Sequence, residues 1–209
     1  MTAAPPDLAA DRIHVWRGDR HVLQGVSLTL SAGRLVHVRG PNGTGKTTLL
    51  RVISGLLRPE RGTVTWGGRP IGEVRADYQQ AFAYASHDPA LKSDLTALEN
   101  LRFAVGLKRR VDEAQLLQNL EATGVAGCRD LPARVLSAGQ RRRVAMARVL
   151  AVQAPLWLLD EPFTNLDTAG SLVVAAMLER HTASGGMALV VAHHELELAG
   201  TVERLELAA

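Results

Sequence analysis

The 209-residue chain has one cysteine, few aromatics (three Trp, two Tyr and three Phe) and no long uninterrupted apolar run. Alone, Cys128 cannot form an internal disulfide, which excludes a disulfide scaffold and fits a reducing compartment. No catalytic partner is evident for it, so it reads as a small loop or helix residue rather than a nucleophile. The most apolar stretch, Val144 to Leu159, is broken by Arg148, Gln153 and Pro155. It falls short of the roughly 18 to 20 apolar residues that a spanning helix needs, so any membrane link is expected to run through a partner. Met1 to Ala10 lacks the basic start and apolar centre of a secretory signal, so the chain is expected to remain in the cytosol.

Neither sign of charge dominates: 24 Lys and Arg against 21 Asp and Glu leave a formal charge of +3. The two basic runs, Lys108 to Arg110 and Arg141 to Arg143, are too short to argue for nucleic acid and read as solvated helix faces. Apolar residues at 46% and charged residues at 22% are ordinary for a globular protein, and the length suits one domain with room for a small subdomain.

What is present is an α/β pattern. Arg12 to Trp16, Val26 to Leu30 and Leu35 to Arg39 read as strands separated by turn signals. A helix is expected from Lys46 to about Gly55, where apolar residues repeat at helical spacing before Pro59. Thr63 to Trp66 and Phe82 to Ser86 read as short strands. Leu95 to Leu107 and Val111 to Thr123 read as helices, and residues from about 90 to 150 carry no strand signal. That segment is expected to form a helical subdomain inserted in one domain spanning 1–209. Strands resume at Leu156 to Leu159 and Ala188 to Ala192, with a helix from Thr168 to Ala183 between them. Such alternation predicts a mostly parallel sheet.

Gly40-Pro41-Asn42-Gly43-Thr44-Gly45-Lys46-Thr47 matches G-x-x-x-x-G-K-[ST] between a strand and a helix, the context that gives the pattern its meaning. Glycines let the backbone curl so that its N–H groups face phosphate oxygens, and the helix N-terminus adds its positive end. Lys46 is expected to bridge the β- and γ-phosphates of ATP and Thr47 to hold Mg²⁺, with Thr48 counted among the binding residues. The strand Leu156-Trp157-Leu158-Leu159 ends in Asp160-Glu161. Asp160 at its edge suits the Mg²⁺ shell and Glu161 suits polarising the attacking water, the pleat sending adjacent acids to different sides.

Leu136-Ser137-Ala138-Gly139-Gln140 then opens a helix, and here the chain resembles the ABC ATPase family, whose signature reads L-S-G-G-Q with limited variation at the third place. Ala138 is a mild departure. Physically this is another helix start with a hydroxyl and free N–H groups. The resemblance implies a P-loop NTPase core with an antiparallel β layer and the inserted helices. It also implies a homodimer in which Ser137, Gly139 and Gln140 of one cassette meet the γ-phosphate held by the other. Asp167 matches the loop that crosses to the partner site, and His193 matches the switch histidine that contacts the γ-phosphate. His194 reads as structural or at the surface. Where the family places a glutamine facing Mg²⁺ and the attacking water, this chain has His87. Imidazole cannot offer an amide's oxygen and NH₂ together, which implies slow hydrolysis until a transport partner engages. Trp16 lies near the family's adenine-stacking position, with Arg17 the alternative occupant and core packing the alternative role. Trp66 and Trp157 read as packing residues.

The stretch from His87 to Leu101, together with Gly185-Gly186-Met187 before His193, is similar to the heme-exporter branch that serves bacterial cytochrome c biogenesis. That likeness implies a multi-span permease partner, heme and a periplasmic heme chaperone as indirect partners, and a place on the cytoplasmic face of the inner membrane. It leaves open whether heme or the chaperone complex is moved. A cassette for another cargo (lipid, drug or lipoprotein) is the rival. The residues themselves show no heme site: Cys-x-x-Cys-His is absent, and His14, His21 and His37 read as isolated, with His37 structural.

Overall fold

Three hydrophobic clusters organise the chain, and each has its own sequence logic. The computed structural model describes residues 4–196 and 198–208, so Met1 to Ala3 of the expected non-signal start, Glu197 and Ala209 lie outside it. A five-stranded sheet has the order β6-β7-β8-β3-β9: β6 (Phe82–Ala85), β7 (Leu156–Asp160), β8 (Met187–Val191), β3 (Leu35–Arg39) and β9 (Val202–Glu206), all paired in parallel. Every residue of β7 and β8 is buried, which is why both read as unbroken apolar runs instead of alternating ones. The two faces nevertheless divide by parity. Leu156 and Leu158, with Met187, Leu189 and Val191, enter one cluster, while Trp157 and Leu159, with Ala188 and Val190, enter another.

The first cluster lies under an antiparallel sheet of order β2-β1-β4-β5, built from β1 (Leu8–Arg17), β2 (Arg20–Leu30), β4 (Arg61–Trp66) and β5 (Arg69–Pro70), with α1 (Lys46–Ile53) between the layers. Strands β1 and β2 run well beyond their expected starts because register shifts break the period-2 pattern that the sequence had to reveal. The second cluster is covered by α6 (Thr168–Ala183), which begins and ends as expected. The third is formed by α3 (Ala97–Gly106), α4 (Glu113–Ala122) and the outer part of α5 (Ala138–Val152). Thr96 starts α3 with a capping box closed by Glu99, and Asp112 caps α4. Cys128 is buried in the 3₁₀ turn Ala126–Cys128. Trp66 and Trp157 are buried, the latter stacked on His181 at 3.8 Å.

Two expectations need correction. The basic runs are not solvated faces. Lys108 donates to the carbonyls of Gln79 and Phe82, Arg109 donates to that of Ala151, and Arg142 is 1% exposed. Their aliphatic stems pack while their donors meet carbonyls inside the fold. Nor are His14 and His21 isolated: the β1–β2 hairpin sets His14 Nδ1 3.1 Å from His21 Nε2. His37 is buried in β3 with its Nε2 3.1 Å from the carbonyl of Ala192, and burial lowers its pKa.

Candidate nucleotide site

The carboxyl ends of β3, β7, β8 and β6 all open on one side of the parallel sheet, where ligands of such sheets bind. From β3 the chain enters the glycine loop. Gly40 has φ 141°, and a Cβ there would collide with the carbonyl of Leu207. Gly45 has φ 97°, and its Cβ would stand 2.8 Å from side-chain atoms of Leu23 and Val22. Both positions therefore require glycine, one for approach to β9's extension and one for packing the loop against β2.

Gly45 is also the N-cap of α1 and offers no side chain to its N–H groups. The ammonium of Lys46, itself 8% exposed, curls back to donate to the carbonyls of Gly40 at 2.7 Å and Pro41 at 3.0 Å. Thr47 Oγ1 donates to Asp160 Oδ2 at 2.9 Å, so two residues from distant parts of the sequence meet here.

Asp160 ends β7 at 1% exposure. Its field, after burial itself, helps raise the pKa of Tyr84 on neighbouring β6. Glu161 has left the strand. Its φ is 52°, its N–H donates to the carbonyl of Val191, and its side chain is nearly buried. The two acids thus diverge because the backbone turns at Glu161, and the pleat of a continuing strand is not the cause. A positive φ at a non-glycine residue is uncommon and concentrates at functional sites. His193 Nε2 stands 3.3 Å from Glu161 Oε1, within ion-pair range, yet the alignment leaves that oxygen without a hydrogen bond.

A cleft of about 660 Å³ is lined by Lys46, Thr47, His87, Asp160, Glu161 and His193. Asn42, Gly43, Gly45 and Thr48 border it too. Thr44 is buried behind the loop, its hydroxyl on the carbonyl of Pro41. At its other side the cleft meets Arg17, Arg20 and Arg51, which sequence reasoning did not assign to it beyond the alternative for Trp16. Arg20 ties the β1–β2 hairpin to the loop by donating to the carbonyl of Gly43 at 2.9 Å. Trp16 is not among the lining residues. Its ring is stacked on His21 at 3.8 Å and 7°.

Ser137, Gly139, Gln140 and Asp167 stand together away from this cleft. Ser137 Oγ accepts from the Gln140 N–H at 3.2 Å, and Gln140 Oε1 accepts from the Ser137 N–H at 2.9 Å, a closed capping box. Gly139 packs so tightly that a Cβ would lie 2.8 Å from the carbonyl of Asn165. Asp167 caps α6 at the Gly170 N–H and accepts from Arg143 at 2.5 Å. These bonds hold the Asp167 carboxyl below its ordinary pKa, the Gly170 N–H contributing most. Arg142 was also missed. It sits one turn into α5 and is aimed at the backbone of Ser86 and His87.

Comparison with known proteins gives the family. The ABC transporter family model matches residues 23–164. The chain is 48% identical over 208 residues to the cytochrome c biogenesis ATP-binding export protein CcmA of Methylococcus capsulatus, covering 99% of this chain and all of that one. It is 45% identical to the protein of that name from Escherichia coli K12, over 88% of this chain and 87% of that one. Among solved structures, a putative ABC transporter ATP-binding protein from Pyrococcus furiosus superposes with a TM-score of 0.84 at 26% identity, covering 96% of this chain and 97% of its own. A dimeric bacterial ABC transporter cassette gives 0.82 at 25% identity, over 95% and 94%. From the matched family model, the near full-length relatives and the cleft at the parallel strand ends, the chain belongs to the ABC transporter family as its ATP-binding cassette.

Proposed function

We propose that this cassette hydrolyses ATP for a transporter of c-type cytochrome biogenesis, powering heme export or delivery to a periplasmic heme chaperone. The full-length 48% identity to a cytochrome c biogenesis export protein carries the cargo assignment. The meeting of Thr47, Asp160, Glu161 and His193 beside the glycine loop supports the residue roles.

In this reading Gly40 to Thr48 cradle the phosphates, with Lys46 bridging the β- and γ-phosphoryl groups. Thr47 and Asp160 fit Mg²⁺: both present hard oxygens, and their 2.9 Å approach already brings a hydroxyl and a carboxylate to one point. When bound, Mg²⁺ neutralises charge on the β- and γ-phosphates. Glu161 polarises the attacking water as general base, and His193 contacts the γ-phosphate while steadying the Glu161 carboxylate. His87 occupies the water side of the cleft, and its single acceptor makes basal turnover slow. Arg17, at the cleft, is the better candidate than Trp16 to meet the base, because His21 already covers one face of the Trp16 ring.

Residues 1–209 form one ABC domain, with the helices of about 90–150 as a subdomain. Two copies sandwich ATP, Ser137, Gly139, Gln140 and Asp167 of each completing the other's site. No helix among the described residues is long and apolar enough to cross a membrane. In this reading, which rests on the likeness to the cytochrome c biogenesis export proteins, the dimer works on the cytoplasmic face of the inner membrane against a multi-span permease, without nucleic acid. Purification of the tagged chain from membranes tests the assignment. A cytochrome c assembly permease is expected to accompany it, and any other permease in its place rejects the heme reading while leaving the ATPase.

A further inference from the structure

Taking a guanidinium out of water is costly, and cores generally accept an apolar side chain of similar size in its place. Arg142, at 1% exposure, is therefore a residue whose fork and charge need a use. Its Nη1 donates to the carbonyl of Ser86 at 2.9 Å and its Nη2 to that of His87. Burial lowers its pKa, opposed by the charges of Asp160, Asp88 and Glu161, so the guanidinium also lies in the field of both acids at the end of β7.

Further along the same helix, Arg148 repeats the arrangement. It donates to the carbonyls of Pro89 and Ala90, each at 3.0 Å. Two forks from α5 thus hold four carbonyls of the segment that follows β6. Within that segment Ala90 sits at φ 49°, a conformation the neighbours must impose. The helix that grips it is the one Ser137 opens.

We propose that Arg142 is a positioning residue for ATP hydrolysis: its fork locks the backbone at Ser86 and His87 to α5, so that His87 enters the cleft in a register set by the helix Ser137 caps. A shift at the Ser137 end, such as the arrival of a second copy's nucleotide, is then carried through α5 to His87. Arg148 keeps the rest of the segment from absorbing that motion. The inference rests on the reading of the cleft as an ATP site.

A double-mutant cycle on the full-length chain tests it, comparing wild type, Arg142→Lys, His87→Ala and the double variant by steady-state Mg·ATP turnover. Lysine keeps the charge but cannot donate as a planar fork. Arg142→Lys is expected to lower kcat roughly 10- to 100-fold, the scale of a misplaced reacting group. KM should stay within about threefold. The loss should vanish in the His87→Ala background, where the group being positioned is gone. An equal loss in both backgrounds, or a raised KM with unchanged kcat, overturns the proposal. If Arg142→Lys does not fold, Arg148→Lys carries the same cycle with the same expectation. Failure of the wild-type chain to bind ATP would remove the ATP-site reading itself, whereas turnover with independent effects removes only this inference.

Discussion

Helices α1 and α5 both begin at motifs proposed here to hold phosphate, and they begin in opposite ways. The start of α1 has no side-chain cap: Gly45 offers none, and its N–H groups are left to the glycine loop's concavity. The start of α5 is closed on itself, Ser137 and Gln140 satisfying each other's N–H groups. An uncapped start is stabilised by its surroundings and gains its missing bonds from a ligand. A capped start is stable alone and must exchange bonds to accept one. On the function proposed above, one chain holds nucleotide at α1 unaided, and α5 engages only when a second copy brings a phosphate to it.

The largest test confines the chemistry to the α1 end. Glu161→Gln removes the proposed general base without touching the loop, and turnover should fall about 100- to 10,000-fold. ATP affinity should persist, and the dimer should accumulate with ATP in gel filtration. Undiminished turnover with the permease present would sink the mechanism. Next, Lys46→Ala removes the proposed charge-assisted contact to phosphate and should weaken binding of a fluorescent ATP analogue about 100-fold, with folding intact. Should the two variants behave alike in the binding assay, α1 is not the unaided site.

At α5 the expected pattern inverts. Ser137→Ala loses the cap and should cost about 1 kcal/mol of stability without nucleotide, read by urea denaturation. ATP affinity of the isolated chain should stay within about twofold, while ATP-driven dimerisation weakens about tenfold. A Ser137 variant that instead lost monomer binding would erase the distinction between the two helix starts.

How much of this was legible depends on where the physical signal lay. The glycine loop, β3 and α6 were readable to the residue or nearly so, because a buried strand, a motif and a cap mark their ends locally. Helix α2 (Arg75–Ala81) was not, since it buries only Tyr78 and so carries no apolar period. Strand β9 was missed for a related reason. Its residues are largely exposed and polar, Val202-Glu203-Arg204-Leu205-Glu206, and it is an edge strand held by backbone pairing to β3. In the candidate site, Asp160 and Glu161 were singled out from their place at a strand end, but the cause of their divergence, the positive φ of Glu161, is a backbone property no local pattern announced. Arg142 and Arg20 escaped because their partners are carbonyls of remote loops, which carry no side-chain signal. His14 and His21 seemed unrelated until the hairpin register set them side by side.

The smallest and sharpest change is Gln140→Glu. Gln140 Oε1 is committed to the Ser137 N–H, which leaves the amide nitrogen as the part of the side chain able to donate to an incoming phosphate. Glutamate serves the capping box equally well, and a negative charge in the first turn of a helix is favourable. Stability should therefore change by less than about 0.5 kcal/mol, and in the stabilising direction. The carboxylate, however, replaces a donor with a like charge facing phosphate. ATP-driven dimerisation in the Glu161→Gln background should weaken by about tenfold or somewhat less, while the monomer's ATP affinity is unchanged. If dimerisation also proved indifferent, the closed cap of α5 would be a structural device alone, and the anion site of the second copy would have to lie at Ser137 and Gly139 without Gln140.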